Sequence, residues 1–335
     1  MNIFLRRGIY EKYYGLIKKI RGKWHEDLLQ KVELLKSDSL FFKQSFIRNY
    51  DVSWMVHGKT WFADYQCYDE YKADYDIQEF INKVQVLACH LSCNIKLYCN
   101  CCNAIFIGNP SPYGINESYQ CPACGMNSRM RAMYEFIDRN FSDSKKVYIQ
   151  EAVTSSFKAY EKYFGCANIM ASEFLGNDKI CGEKYDHNGH EIMHQDCTKL
   201  SFDDNTFDLI ISQDVLEHIP DTKQALFELF RVIKPNGAAV IMIPFFRGSS
   251  KSRMLAKIKE SGQYEYLAYP PEIHGNPLGE GSLAFWHHGW EFLEIMRTCG
   301  FSDVKIHCYH NVYKGHFGVH SIITGKKSLP GEHSL

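Results

Sequence analysis

Residues 196–244 constrain the fold most, because they predict two buried strands joined by a loop and a helix. The first strand, 207–212, is a short apolar run with β-branched residues, typical of a central parallel strand covered on both faces. Asp221 is expected to cap the helix, with Gln224 in the capping-box position. A Lys-Pro-Asn-Gly turn then leads into the second strand, 238–243. Such a unit is right-handed and places ligands beyond the carboxyl ends of its strands.

Short motifs through this stretch recur in an order typical of one enzyme family. In chain order they are Asp196, Leu200-Ser201-Phe202, residues 205–208, Leu216-Glu217-His218 and residues 231–237. Together they resemble the second half of class I S-adenosylmethionine-dependent methyltransferases. The resemblance, extrapolated over roughly residues 145–325, implies an α/β fold with a doubly wound, mostly parallel, seven-stranded Rossmann-like sheet.

Apolar runs and motifs on either side predict the rest of the organisation. Strands are expected near 147–150, 167–172, 191–194, 207–212 and 238–243, and the resemblance implies an antiparallel edge near 303–309 and 317–324. The predicted regions are a helical, aromatic-rich N-terminal region (1–95), a small zinc ribbon (96–128), the methyltransferase domain (129–327) and a tail (328–335). The connection at about 245–285, here called the lid segment, is longer than an ordinary loop, which predicts a lid.

Overall composition argues against several classes of protein. The net charge is −1 and the pI is near 6.9, so nothing global indicates a nucleic-acid or anionic-membrane partner. No apolar run approaches the ~18 residues that a membrane span needs. Thirteen cysteines without an export signal favour reduced thiols and a metal site over a disulfide framework, so a cytoplasmic location is predicted.

Four cysteines form two CxxC pairs with the spacing of a zinc ribbon: Cys99, Cys102, Cys121 and Cys124. Each CxxC turn directs two thiolates at one tetrahedral ion, and the residue after the second cysteine needs a positive φ. Gly125 and Asn103 meet that need. Cys101 could compete as a ligand, although it does not give the two-residue gap. Four thiolates leave no open coordination position, so the Zn²⁺ is expected to be structural.

The turn after the first strand departs from the family pattern. The family has a glycine-rich turn there, whereas residues 151–156 of this chain contain no glycine. Either the domain has lost its cofactor and is an interaction scaffold, or Ala152 is small enough for close approach. In the second case Thr154 and its neighbours offer hydroxyl and N–H groups to the methionine carboxylate. We favour the second interpretation, because the acidic positions further along the chain are intact.

The resemblance assigns the cofactor S-adenosyl-L-methionine to polar residues at the strand ends. Glu173 matches the carboxylate that accepts hydrogen bonds from the ribose hydroxyls, and Asp196 matches the position near the adenine. Glu151 matches the acidic position after the first strand, and Gln213 follows the fourth strand. These residues, with Thr154, are the predicted cofactor site.

Methyl transfer needs in-line positioning, and a base only when the acceptor is a hydroxyl. The candidate catalytic groups are Asp214, His218 and His274. Glu272 in the lid segment is expected to face the substrate. So is one of the pair His287 and His288, while the other is expected to be a surface cap of the next helix.

The ribbon together with residues 127–133 also resembles a bacterial subgroup associated with surface-polysaccharide and secondary-metabolite gene clusters. The predicted function is therefore methylation, at oxygen, of a small-molecule or carbohydrate-type acceptor. An RNA methyltransferase is the rival enzyme, since some ribosomal RNA methyltransferases carry a zinc ribbon. A nucleic-acid substrate is disfavoured by the neutral net charge and by the lack of an Asn-Pro-Pro-Tyr-type motif.

The N-terminal region has a basic, aromatic stretch at helical spacing, which includes Tyr10, Tyr13, Tyr14, Ile17 and Trp24. Two interpretations stay open: a helix on a membrane surface, or a helix docked on the body of the protein or on a partner. Tyrosines and tryptophans crowd residues 50–75, where packing of a satellite domain is favoured over stacking on sugars.

Overall fold

The computed structural model describes residues 61–72, 95–108, 117–311 and 314–329. All of them belong to Met55–Leu335, one of two units into which the chain divides. The main sheet contains β1 (Trp61–Tyr65), β4 (Val147–Ile149), β5 (Ile169–Glu173), β6 (Lys184–His187), β7 (His190–His194), β8 (Phe207–Gln213), β9 (Ile233–Met242), β16 (Ser302–Asn311) and β17 (His316–Lys326). The helices are α1 (Ser128–Asn140), α2 (Ser155–Phe164), α3 (Thr222–Val232) and α4 (Glu291–Thr298).

The sheet has the order β1-β16-β17-β9-β8-β4-β5-β7-β6. Its centre is parallel from β9 to β7, and the pairs at both ends are antiparallel. All seven predicted strands are present, which confirms the doubly wound Rossmann-like architecture. The count of seven is corrected to nine among the described residues, because β1 and β6 add one strand to each edge.

Each added edge strand has its own cause. β6 and β7 pair through a two-residue Asn188-Gly189 turn with positive φ at both positions, a strong local hairpin signal that the sequence contains. β1 instead pairs with β16, far away in sequence, with Ala63 opposite Cys308. Local patterning carries no information on such a partner, so this edge was not predictable.

The predicted cap of α3 is confirmed, and only half of the capping box forms. Asp221 Oδ1 accepts from the Gln224 N–H at 3.0 Å, whereas the Gln224 side chain donates to the Thr198 carbonyl at 3.2 Å. β9 begins directly after the helix, earlier than predicted, and bulges where Asn236 has φ 66°. A Cβ on Gly237 would lie 2.8 Å from the Asp208 carbonyl oxygen, so glycine is required there.

Helices cover both faces of the sheet, which places two apolar layers around its central strands. On one face Leu226 of α3 and Phe292 of α4 pack near Ile210. On the other face Met133 of α1 and Tyr160 of α2 pack near Ile211. Because neighbouring residues of β8 point into opposite layers, its central residues 209–211 are all apolar, as the sequence indicates.

The lid segment folds mainly into short antiparallel pairs. They are β10 (Arg253–Met254) with β15 (Trp286–His287), β11 (Ala256–Ile258) with β12 (Tyr264–Tyr266), and β13 (Ile273–Asn276) with β14 (Gly279–Leu283). The Phe285 N–H donates to the Glu217 carbonyl at 2.8 Å, which fixes the end of the segment to the short 3₁₀ helix Leu216–His218 after β8. The lid segment therefore lies next to the carboxyl ends of the parallel strands.

Aromatic residues described near the N-terminus are packed in the core. Tyr71 is fully buried, with its ring centroid 5.2 Å from that of Trp290, and Tyr65 lies 6.4 Å from the same ring. Packing is therefore the role of these two tyrosines. The predicted basic helix lies outside the described residues. Within them, no helix combines the length and apolar character needed to cross a membrane.

Candidate active site

The polar residues predicted to bind the cofactor lie together at the carboxyl ends of the central parallel strands, which form one edge of the sheet. Glu173 ends β5, Gln213 ends β8, and Glu151 and Asp196 follow β4 and β7 closely. Since these four parallel strands are neighbours in the order β8-β4-β5-β7, their carboxyl ends lie side by side. The sheet order, rather than any local motif, brings the side chains together.

Glu151 is a buried carboxylate that lacks a full set of partners. The residue is 6% exposed, and its Oε2 has no hydrogen-bond partner within the described part of the chain. Burial raises the pKa of Glu151 well above its ordinary value, the Glu173 carboxylate adds to the rise, and Arg129 opposes it. A buried acceptor without a donor is costly, so this position fits a ligand that brings a donor or a positive charge. The amino group and sulfonium of S-adenosylmethionine meet that requirement.

Glu173 holds the glycine-free turn. Its Oε1 accepts from the N–H of Ala152 at 2.7 Å and from the N–H of Val153 at 3.3 Å. Burial raises the pKa of Glu173 to about 7, against the effect of these two hydrogen bonds. The second carboxylate oxygen is left for a ribose hydroxyl, so one side chain can fix both the turn and the ligand.

The start of α2 completes this part of the site. Thr154 is the N-cap, and its hydroxyl oxygen accepts from the Phe157 N–H at 3.1 Å. The Ser156 hydroxyl donates to Gln213 Oε1 at 3.3 Å, which ties the helix to the end of β8. Thr154 can still donate its own hydroxyl proton to an anion, because capping uses only the oxygen as an acceptor.

Asp196 lies in a tight local turn beside β7. Its Oδ1 accepts from the backbone N–H of Thr198 at 2.8 Å and from the hydroxyl of Thr198 at 2.7 Å. These bonds orient the carboxylate, and the adenine contact stays a prediction.

Asp214 has an unforeseen partner. The residue adopts φ 54°, and its carboxylate forms an ion pair with Arg129 from α1. Arg129 also pairs with Glu117 at 2.7 Å. The Asp214 carboxylate is therefore already paired with a cation, and its role as a base stays a prediction. Arg129 had no sequence signal, because nothing in its own segment predicts contact with the end of β8.

The other two candidate bases belong to one cluster with Glu217 and the lid segment. His218 Nε2 and His274 Nδ1 lie 3.7 and 3.8 Å from Glu217 Oε1. Glu272 bridges two rings, with its oxygens 2.8 Å from His274 Nε2 and 2.7 Å from His287 Nε2. The Glu217 carboxylate raises the pKa of His274, burial opposes this, and Glu272 adds to it. The structure thus brings together four predicted residues and adds Glu217.

His288 lies apart from this cluster. It is 1% exposed, packs on Phe292 at 4.8 Å between ring centroids, and has its pKa lowered to about 4 by burial. Since α4 has Trp290 at its N-cap position, with no side-chain capping bond, neither His287 nor His288 is the predicted surface cap. His288 belongs to the core, which leaves Glu272 and His287 as the substrate-facing candidates.

The four predicted cysteines converge in the ribbon. β2 (Ile95–Tyr98) and β3 (Ile105–Gly108) flank the first CxxC turn. Sγ of Cys99 lies 3.6 Å from that of Cys124, and Sγ of Cys102 lies 3.6 Å from that of Cys121. A tetrahedral zinc with Zn–S bonds of about 2.3 Å sets its sulfurs roughly 3.8 Å apart, so the four thiols fit this ion. Cys101 is not among the four converging sulfurs.

The backbone of the two CxxC turns is equivalent. The Asn103 N–H donates to the Cys99 carbonyl and the Gly125 N–H to the Cys121 carbonyl, both at 2.8 Å. Asn103 has φ 62° and Gly125 has φ 73°, which confirms the two left-handed positions expected from the sequence.

Comparisons with known proteins match the same part of the chain. Residues 155–241 match a family model described as a methyltransferase domain. The chain is 30% identical over 172 residues to a ubiquinone/menaquinone biosynthesis C-methyltransferase of Geobacter sulfurreducens, covering 46% of this chain and 58% of that protein. It is 43% identical over 129 residues to a demethylmenaquinone methyltransferase of Streptomyces avermitilis, covering 36% of this chain and 53% of that protein.

A solved structure was also matched. It is a Burkholderia thailandensis 1,6-didemethyltoxoflavin-N1-methyltransferase with S-adenosylhomocysteine bound, at 14% identity and a TM-score of 0.39, covering 60% of this chain and 79% of that one. The chain spans about three fifths of the length of the first curated relatives it matches. Residues 155–241 are thus the part of the chain that matches a methyltransferase domain.

Proposed function

We propose that this chain transfers a methyl group from S-adenosylmethionine to an oxygen of a small-molecule or carbohydrate-type acceptor. The observation that carries the proposal is the convergence of Glu151, Glu173, Asp196 and Gln213 at one sheet edge. Three of the four lie inside the segment that matches a methyltransferase domain. S-adenosylmethionine supplies an electrophilic methyl group when bound.

Different residues along this edge would bind different parts of the cofactor. Glu173 accepts from the ribose, Asp196 lies near the adenine, and Thr154 donates to the methionine carboxylate. The orphaned Glu151 oxygen faces the positive part of the ligand, where a buried carboxylate is most favourable. The glycine-free turn can still form part of a cofactor site, because Glu173 accepts hydrogen bonds from two of its N–H groups and so fixes its conformation.

The acceptor would bind between the end of β8 and the lid segment. Glu272 and His287 lie between these elements, with side chains that are 39% and 21% exposed. His274 is the best-placed base, because its ring is hydrogen-bonded to Glu272 and is 28% exposed. Oxygen is favoured as the methylated atom because these groups are suited to removing a hydroxyl proton.

Zinc would occupy the four-cysteine site as a structural ion. The sulfur separations and the two equivalent turns support this, and four thiolates leave no position for a substrate. Zinc binding would then contribute to folding rather than to methyl transfer.

The test uses the full chain, methyl-labelled S-adenosylmethionine and a panel of acceptors that includes sugars, phenols, a demethylated quinone and RNA. We expect label in a sugar or small-molecule hydroxyl, and turnover reduced about 10²–10⁴-fold in His274→Ala with cofactor affinity retained. Label on a quinone ring carbon would show that the methylated atom is carbon rather than oxygen. Label in RNA, with binding that weakens steeply with salt, would favour the RNA methyltransferase. If the chain binds no S-adenosylmethionine, the domain would instead be an interaction scaffold that has lost its cofactor.

A further inference from the structure

Glu217 is a buried carboxylate with no hydrogen bond to either oxygen. It lies in the 3₁₀ helix Leu216–His218, its side chain is 0% exposed, and both Oε1 and Oε2 lack a partner among the residues that the structure describes. An ionised carboxylate in this state is strongly unfavourable, because it has lost its water and gained no partner. Something that carries positive charge is therefore expected beside it.

Two imidazole rings face the Glu217 carboxylate. His218 Nε2 and His274 Nδ1 lie 3.7 and 3.8 Å from Glu217 Oε1, and the three ligand atoms are all within 4.8 Å of one another. These distances are too long for direct hydrogen bonds. An ion about 2.0–2.2 Å from each atom would hold them roughly 3.0–3.5 Å apart, so a small inward rotation of the rings closes the site.

The far side of each ring is already fixed. His218 Nδ1 lies 2.9 Å from the Leu283 carbonyl, and His274 Nε2 lies 2.8 Å from Glu272 Oε1. A carbonyl and a carboxylate can only accept, so both of these nitrogens carry the ring proton. In the neutral rings the lone pairs then point towards Glu217. Metal-bound histidines characteristically have such an outer partner on the second nitrogen.

We propose that Glu217, His218 and His274 bind one divalent transition-metal ion. Two imidazoles and one carboxylate are a ligand set that zinc and its neighbours in the transition series accept, and three protein ligands leave positions open for water or an acceptor oxygen. The site is separate from the four-cysteine ribbon in its residues and in its donor atoms. It also joins the end of β8 to the lid segment, so the ion would fix the lid in place.

The competing explanation is a proton in place of the metal, with His274 as an imidazolium between Glu217 and Glu272. That arrangement would satisfy the charge of Glu217 and would need no ion. The two explanations differ in metal uptake, which can be measured without any methyl transfer. Metal binding would occupy the Nδ1 lone pair of His274, so it would replace His274 in its proposed role as the base. It would leave the proposed cofactor residues unaffected, and their binding of S-adenosylhomocysteine is measured separately.

The test is a titration of the full chain, with its ribbon filled by Zn²⁺, against Co²⁺ alone, followed by visible absorption. Co²⁺ on nitrogen and oxygen gives d–d bands without the thiolate charge-transfer band that the ribbon would show. We expect one such equivalent per chain. Glu217→Gln should abolish it. Glu272→Gln, which alters the outer partner of His274 but none of the three proposed ligands, should weaken it about 10–100-fold.

The matched control is His190→Ala, an exposed histidine on β7, which should bind Co²⁺ like the unaltered chain. The melting temperature of each variant shows whether it is folded. His274→Asn serves as a second variant that removes a proposed ligand. The His274 side chain is partly exposed, so the fold should tolerate its loss. No nitrogen–oxygen Co²⁺ signal in the unaltered chain, or the same signal in folded Glu217→Gln, would overturn the proposal in favour of the proton.

Discussion

At the scale of single residues, Glu173 has one observed function and one proposed function, and each uses a different carboxylate oxygen. One oxygen holds the N–H groups of Ala152 and Val153, and the other is left for the ribose. In the family pattern, glycines allow the turn to approach the ligand. Here a carboxylate stabilises a turn without glycine, and the same side chain is the proposed contact to the cofactor ribose.

Glu173→Ala should weaken S-adenosylhomocysteine binding by about 1.5–3 kcal/mol, the range for hydrogen bonds to a charged group. Glu173→Gln keeps an acceptor for the turn but loses the charge, so it should weaken binding less. Calorimetric titration measures both. Glu191→Ala, an exposed carboxylate on β7, is the control and should bind normally. Normal binding by Glu173→Ala would remove the ribose assignment.

The pH dependence of cofactor binding should report the same group. Burial raises the pKa of Glu173 to about 7 from 4.5, so the folded protein holds its proton more tightly than the unfolded chain. Between these values this group lowers the free energy of unfolding as pH rises. The ionised form is the better acceptor, so S-adenosylhomocysteine affinity should increase as pH rises through about 7.

Glu173→Gln should flatten that part of the affinity profile, and its free energy of unfolding should fall less between pH 4.5 and 7. The measurement is calorimetric affinity and denaturant unfolding across this range for both proteins. An identical pH profile in the two would mean that Glu173 does not titrate in the site.

At the scale of elements, the ribbon and α1 form one connected unit. Asn127 caps α1 directly after the second CxxC turn, and its Oδ1 accepts from the Met130 N–H at 2.9 Å. Ser155 at the start of α2 lies against Gly125, where an added Cβ would come within 2.6 Å of the serine Oγ. Disorder in the ribbon would therefore reach the start of the cofactor helix.

Cys121→Ser should remove one zinc per chain and lower the melting temperature by at least about 5 °C, since each kcal/mol lost shifts it by about 2–4 °C in a domain of this size. Elemental analysis and calorimetry measure the two effects. Cys166→Ser, at an exposed cysteine outside the ribbon, is the control. A Cys121→Ser protein with unchanged zinc content and melting temperature would show that the four thiols are not a structural site.

Arg131 connects the ribbon to the C-terminal strands. Its fully buried guanidinium donates to the carbonyls of Tyr119, Met126, Lys314 and Gly315. Arg131→Met should destabilise the fold by about 3 kcal/mol or more, because buried carbonyls lose their donors. Thermal unfolding measures this. Arg139→Met on the same helix, where the side chain is 44% exposed, should have little effect, and equal melting temperatures for the two variants would contradict the account.

At the scale of the whole molecule, the sequence predicts what depends on local patterns. The central strands, the cap of α3 and the left-handed residues after each CxxC turn all follow from residue types at fixed spacing. The edge pairing of β1, the Arg129–Asp214 ion pair and the meeting of Glu217 with His274 do not, because each joins segments far apart in the chain. The burial of His288 belongs with these, because it depends on α4 packing over the ring.

The central claim is that a sheet edge with a glycine-free first turn still binds S-adenosylmethionine. Calorimetric titration of the unaltered chain with S-adenosylhomocysteine tests it most directly. The account predicts one ligand per chain, with affinity that weakens in Glu173→Ala and is unchanged in Glu191→Ala. No binding heat at millimolar ligand by the folded, zinc-loaded chain would contradict it.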